Sequence, residues 1–226
     1  MEYYDLGYTL MLVSILITLV AQIFVMISYS VYKKVKNNRG ITGAEVAREI
    51  LHKHALDNIY VTETRGYLSD HYDPTRKVIR LSKDVYNGTS VAAVSVAAHE
   101  VGHAIQDKEG YSFMRFRSAM FPIVNFSSKA GYVAILIGLL FGFTNLIWIG
   151  IGLEIIILLF QLVTLPVEFN ASSRALSEIE KNDFLSKSER AGSKTVLTAA
   201  ALTYVASVLT TLIEIFRLII IAKSDN

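Results

Sequence analysis

Apolar and polar positions fall in long blocks along this chain. From Tyr8 to Tyr32 the side chains are almost all apolar, with Gln22 the only strongly polar one. A helix of that length crosses the roughly 30 Å hydrocarbon core of a bilayer. Similar blocks run from Pro122 to about Phe143, from Asn145 to Val167 and from Thr195 to about Ala222. Thr144-Asn145 is the expected tight turn between the middle two, so the pattern predicts four transmembrane helices with the second and third as a hairpin. Between the first and second blocks the period shortens. Thr42 followed by Glu45 reads as a capping box opening a helix over 43–56, on which Val46, Ile50 and Leu51 share a face. The β-prone runs Ile59 to Thr62 and Lys77 to Leu81 bracket a turn-rich stretch from Gly66 to Pro74, which predicts a small sheet. Ser90 then caps a helix from Val91 to about Lys108.

Composition agrees with a membrane protein: of 226 residues, 52% are hydrophobic and only 19% charged. The net charge of +2 gives no reason to expect a nucleic-acid partner, and the placement of charge says more than its sum. Basic residues follow the first span (Lys33, Lys34, Lys36, Arg39) and fill the segment between the hairpin and the last span (Arg174, Lys181, Lys187, Arg190, Lys194). By the positive-inside tendency these segments are cytoplasmic and the N-terminus is outside, in a multi-pass protein of the cell membrane. Acidic Glu2 and Asp5 ahead of the first span do not fit a cleavable signal. Within the spans, Glu214 and Arg217 are spaced to pair, Glu154 near mid-bilayer is expected to face other helices and find a structural partner, with a role in a polar path as the alternative, and Lys129 is close enough to the interface to snorkel. The chain has no cysteine, so only His, Asp and Glu remain as side chains for a metal.

The chemistry-bearing stretch is His99-Glu100-Val101-Gly102-His103, inside the helix expected from Val91. Residues four apart share a helix face, so both imidazoles can reach one cation, with Glu100 beside it as a general base. Buried among small apolar residues, three ionisable groups without a partner would cost several kcal/mol. His52 and His54, two apart, point to different faces and read as surface histidines. A catalytic zinc usually takes three protein ligands. Two spans separate residue 120 from residue 168, which returns Glu168 to the side of the membrane that carries His99 and His103. Pro166 suits the start or a kink of a helix at the interface there.

With these residues assembled, the chain resembles the gluzincin membrane metallopeptidases, and more closely the YugP-like neutral zinc metallopeptidase family of bacteria. The resemblance rests on the N-terminal span, on Leu68-Ser69-Asp70-His71-Tyr72-Asp73-Pro74, and on Ala97-Ala98-His99-Glu100-Val101-Gly102-His103-Ala104-Ile105-Gln106. It also covers Glu168-Phe169-Asn170-Ala171-Ser172 and Ala201-Leu202-Thr203-Tyr204-Val205-Ala206. It implies His99, His103 and Glu168 as Zn2+ ligands and Glu100 as general base. The implied fold is a mainly α integral membrane protein of about four transmembrane helices with a small α+β zincin-like catalytic domain at the membrane surface. Expected segments are 1–32 (N-terminal span), 33–120 (catalytic domain), 121–167 (transmembrane hairpin), 168–194 (third-ligand helix and cytoplasmic loop) and 195–226 (C-terminal span). Related HtpX-like proteases read Glu-x-x-Ala-Asp at the third ligand, where this chain has Ser172. Asn170 and Asp107 are then candidates to orient the imidazoles.

The expected activity is a membrane-anchored zinc endopeptidase acting on proteins or membrane-protein segments at the cytoplasmic face, in contact with the lipid bilayer. The alternatives are a non-catalytic zinc-binding scaffold, which the intact Glu100 disfavours, and an intramembrane protease. The second would hold its motif inside a span, whereas the motif helix here is flanked by Lys83, Asp84, Asp107 and Lys108. His71, Tyr204 and Arg174 are candidates to stabilise the oxyanion. The segment Lys77 to Leu81 is a candidate edge for an extended substrate. Substrate identity, regulation and oligomeric state are not written in the sequence.

Overall fold

The computed structural model describes residues 2–224 and is built mainly of helices. In chain order these are α1 (Glu2–Tyr32), α2 (Gly43–Lys53), β1 (Tyr60–Thr64), β2 (His71–Asp73), β3 (Val78–Ser82), α3 (Lys83–Tyr86), α4 (Val91–Lys108), α5 (Ser112–Phe141), α6 (Thr144–Lys181) and α7 (Lys187–Ser224). Four of them, α1, α5, α6 and α7, are long and apolar enough to cross a membrane. The chain divides into two compact units. One holds Met1–Gln22, Arg115–Leu165 and Leu202–Asn226; the other holds Ile23–Met114 and Pro166–Ala201.

The first unit consists of the apolar lengths of α1, α5, α6 and α7. Leu12, Leu16 and Val20 of α1 and Phe126, Tyr132 and Leu140 of α5 are exposed, as side chains that face lipid would be. Ile147, Ile151, Ile215 and Leu218 are buried together. Arg217 donates to both oxygens of Glu214, at 2.8 and 2.5 Å, which is the expected pair. Glu154 has no ion-pair or hydrogen-bond partner among the described residues, so the pairing expected for it is not found. The hairpin turn also falls earlier than expected: α5 ends at Phe141, Gly142 takes φ +69° and α6 already begins at Thr144.

The second unit carries the sheet and α2, α3 and α4, together with the adjoining ends of the long helices. The capping box at α2 forms as expected, with Thr42 Oγ1 accepting from Glu45 N–H and the Glu45 carboxylate accepting from Thr42 N–H at 2.8 Å. The bond from Thr42 N–H, with a second from the Thr42 hydroxyl at 2.7 Å, holds the Glu45 carboxyl below its ordinary pKa. The helix closes at Lys53, shorter than expected, because the chain turns at Ala55 with φ +48°. The sheet has the order β1-β3-β2, with β1 parallel and β2 antiparallel to β3. Its third strand, β2, lies within the stretch read as turn. Since β3 is the central strand with both edges paired, Lys77 to Leu81 offers no free edge to a substrate, which corrects that expectation.

Ile79 and Leu81 of β3 are buried in the same apolar core as Val46 and Ile50 of α2 and Val94, Ala97, Val101 and Ile105 of α4. The core also takes in Ile179 of α6, Phe184 and Leu197, so segments distant in sequence share it. Tyr29, near the end of α1, is buried here too, with the Tyr67 ring edge-on at 5.5 Å. Pro122 and Pro166 both lie inside continuous helices, α5 and α6, and neither starts one. Glu168 is therefore in a helix interior, two residues past a proline that leaves one ladder bond unmade.

Candidate metal centre

The helix α4 that carries the motif starts at Ser90, whose hydroxyl accepts from Ala93 N–H, and continues through small apolar residues to Lys108. Alanine and glycine along this run let neighbouring segments approach closely: a Cβ on Gly102 would lie 2.6 Å from the Ala171 carbonyl oxygen of α6. That approach brings Glu168 over the face of α4 that holds His99 and His103. Glu168 Oε2 lies 3.3 Å from His99 Nε2 and 3.5 Å from His103 Nε2. One ligand atom from each of the three residues falls within 4.8 Å of the others. Glu168, His103 and Glu100 are buried, and His99 is partly so. The two imidazole rings stand nearly perpendicular, 88° apart with centroids at 4.8 Å.

These atoms suit zinc. Two nitrogens and a carboxylate oxygen at Zn bonds of about 2.0–2.2 Å in a tetrahedron stand about 3.3–3.5 Å apart, the separations between Glu168 and each imidazole. Burial works against charge on His103, yet the Glu168 and Glu100 carboxylates and the bond to Gln106 outweigh it and raise its pKa. A buried carboxylate facing two imidazole nitrogens needs a cation between them, either protons or a metal.

The partners that hold the imidazoles differ from those expected. Ser172 Oγ lies 3.2 Å from His99 Nδ1. Gln106 Oε1 lies 3.0 Å from His103 Nδ1. Asp107 instead accepts from Tyr72 Oη and Lys77 Nζ, and Asn170 bonds Gln106 and Arg174, so neither touches an imidazole. Gln106 has no role in the expectations above. The available signal was its position three residues after His103, which places both on one helix face.

Asp70, quoted above only within the run Leu68 to Pro74, also lies near the site. It accepts from Ser82 N–H at 2.7 Å and from Ser82 Oγ at 3.0 Å. Burial raises its pKa against the pull of those bonds, and the Glu100 carboxylate, near enough to act on it, adds to the rise. Of the oxyanion candidates, Arg174 is engaged with Asn170 and Glu109, His71 bonds the Ser69 carbonyl through Nδ1 at 2.8 Å, and Tyr204 belongs to the other unit. Of the two histidines expected at the surface, His52 is exposed and meets Asp57, whereas His54 is partly buried, with Nε2 3.2 Å from the buried Glu178 of α6.

Comparison with known proteins adds a family to this geometry. A protein of Bacillus subtilis (strain 168) described as "Putative membrane protease YugP" is 49% identical over 201 residues, 89% of each chain. No solved structure matches the chain. Residues 7–223 match the family described as "Putative neutral zinc metallopeptidase". With nearly the whole chain covered in both comparisons, the protein belongs to that family.

Proposed function

We propose that the protein is a zinc-dependent endopeptidase of the cell membrane, with His99, His103 and Glu168 as metal ligands and Glu100 as general base, cutting proteins or membrane-protein segments at the cytoplasmic face. The observation that carries this reading is the meeting of Glu168 Oε2 with both Nε2 atoms, beside a carboxylate on the same helix. Zinc held there supplies Lewis acidity and lowers the pKa of a coordinated water to about 7. The chain's own residues do the rest. Glu100 follows His99 directly, so its carboxylate can take the proton released by the attacking water and return it to the leaving nitrogen. Ser172 and Gln106 keep the rings turned so that both Nε2 atoms face Glu168.

The basic residues after α1, in the last part of α6 (Arg174, Lys181) and in the first part of α7 (Lys187, Arg190, Lys194) support a cytoplasmic site. The reading as an intramembrane protease loses ground because α4 is not among the four helices suited to crossing a bilayer. The test is Glu100→Gln in the full-length protein, in detergent or vesicles. The substitution should abolish proteolysis while zinc stays bound. Full activity with zinc bound would remove Glu100 as the base, and a wild type that binds zinc but cleaves no substrate would favour the scaffold.

A further inference from the structure

Gln106 is fully buried and has three polar partners. Its Nε2 donates to the Val167 carbonyl at 2.8 Å and to Asn170 Oδ1 at 3.0 Å, and its Oε1 lies 3.0 Å from His103 Nδ1. Asn170 Oδ1 also accepts from Arg174 Nε at 2.7 Å, and Arg174 Nη2 donates to Glu109 Oε2 at 2.6 Å. A line of contacts thus runs from an ion pair at the surface, Glu109 with Arg174, to a buried imidazole.

The chemistry of the ends fixes the sense of every bond between them. A guanidinium only donates, so the Asn170 atom facing Arg174 is an oxygen. That oxygen also faces Gln106, which must present its nitrogen, and the Val167 carbonyl, a pure acceptor, demands the same. Asn170 and Gln106 are therefore each held in one amide orientation, although their oxygens and nitrogens are alike in shape. The remaining atom of Gln106 is an acceptor, which requires a hydrogen on His103 Nδ1. In the neutral ring this leaves the Nε2 lone pair facing Glu168.

We propose that Gln106 and, through Asn170, Arg174 are positioning residues that set the tautomer of His103 and so prepare Nε2 for the metal. Gln106 acts on a second ligand as well, since Val167 and Asn170 flank Glu168 on α6 and both accept from Gln106. One amide thereby ties the segment that bears Glu168 to the helix that bears His103. The partners of the two Nδ1 atoms, Gln106 and Ser172, are uncharged, so on that side of each ring the orientation depends on bond direction and not on a carboxylate's charge.

The inference rests on His103 being a zinc ligand, and the experiment separates the two claims. Zinc affinity of the full-length protein in detergent is measured by competition with a chromogenic chelator for wild type, Glu168→Ala, Gln106→Leu and Arg174→Met. In parallel, proton–nitrogen spectra with 15N-labelled histidine follow His103 Nδ1–H in zinc-loaded protein and in zinc-free protein at alkaline pH. Gln106→Leu should weaken zinc binding about 10- to 100-fold, the usual range for losing such a partner. Arg174→Met should weaken it less, by a few fold, because the Val167 carbonyl still orients Gln106. The slowly exchanging Nδ1–H signal should be present in wild type, lost in Gln106→Leu and broadened in Arg174→Met.

Wild-type affinity and an unchanged Nδ1–H signal in Arg174→Met would remove Arg174 from the relay. The same result in Gln106→Leu would overturn the proposal. Should Gln106→Leu not fold, Arg174→Met still tests it, because that side chain lies at the edge of the fold. If wild type takes up no zinc, the metal reading fails, and the zinc-free spectra still decide whether His103 carries its hydrogen on Nδ1.

Discussion

Gly102 and Ala171 meet with no room for a side chain between them: a Cβ on Gly102 would stand 2.6 Å from the Ala171 carbonyl oxygen. The contact lies between the two imidazoles in sequence and three residues beyond Glu168, so the spacing of the site depends on it. Gly102→Ala should force the helices apart, lower stability by about 1–3 kcal/mol and reduce zinc retention. Thermal unfolding in detergent and zinc content after gel filtration would check both. A variant with wild-type stability and wild-type zinc would show that α4 and α6 can separate without harm.

Glu168→Ala removes the carboxylate toward which both Nε2 atoms point. Its zinc content should fall sharply with helical content unchanged by circular dichroism, and Glu168→Asp should recover part of the metal. Equal metal occupancy in Glu168→Ala and wild type would exclude it as a ligand.

The α2 capping box links stability to pH. Hydrogen bonds from Thr42 depress the Glu45 pKa, so the folded value lies below the unfolded one. The stabilisation is present above the unfolded value, near 4.5, and is lost as pH falls through the depressed folded value. Thr42→Ala should cost about 0.5–2 kcal/mol at neutral pH. In zinc-free protein the difference in melting temperature between Thr42→Ala and wild type should narrow below pH 4.5. A difference that stays constant into acid would show that the charge on Glu45 adds nothing through the Thr42 hydroxyl.

Tyr32 and Gly192 offer a test of whether the end of the first span belongs to the fold of the second unit. A Cβ on Gly192 would come 2.4 Å from Cε1 of the Tyr32 ring. Gly192→Ala should destabilise the protein in the presence of Tyr32 and cost much less in a Tyr32→Ala background. A double-mutant cycle measures this, and additive effects would mean that the ring moves aside freely.

Because the chain contains no cysteine, a single Lys181→Cys would report its own location without background. Impermeant maleimide should label it in inverted vesicles and not in intact cells. Labelling from outside would reverse the orientation inferred from the basic segments.

Much of this could be read from the residues. Long apolar blocks have one structural solution in a bilayer, so the four long helices were visible at once. The His99/His103 pair and Glu168 were reached from helix periodicity and from counting spans. The directions of individual side chains were harder, because they depend on which helix packs against which. Asn170 and Arg174, four apart on α6, have the spacing to meet, but nothing in the sequence says that Gln106 of α4 joins them. Asp107, a carboxylate four residues after His103, was the more obvious partner on charge alone, yet Tyr72 and Lys77 claim it. Strand β2 was missed because three residues in a turn-rich stretch carry too little pattern, and its pairing decides that β3 is central.

The order of these three converging residues along the chain has a consequence for biosynthesis. His99 and His103 leave the ribosome well before Glu168, and the segment between them includes both helices of the hairpin. A nascent chain that has not yet threaded that hairpin holds only two of the three residues that converge. With His99, His103 and Glu168 as the proposed ligands, the site is complete only after the second helix of the hairpin has been synthesised as far as Glu168.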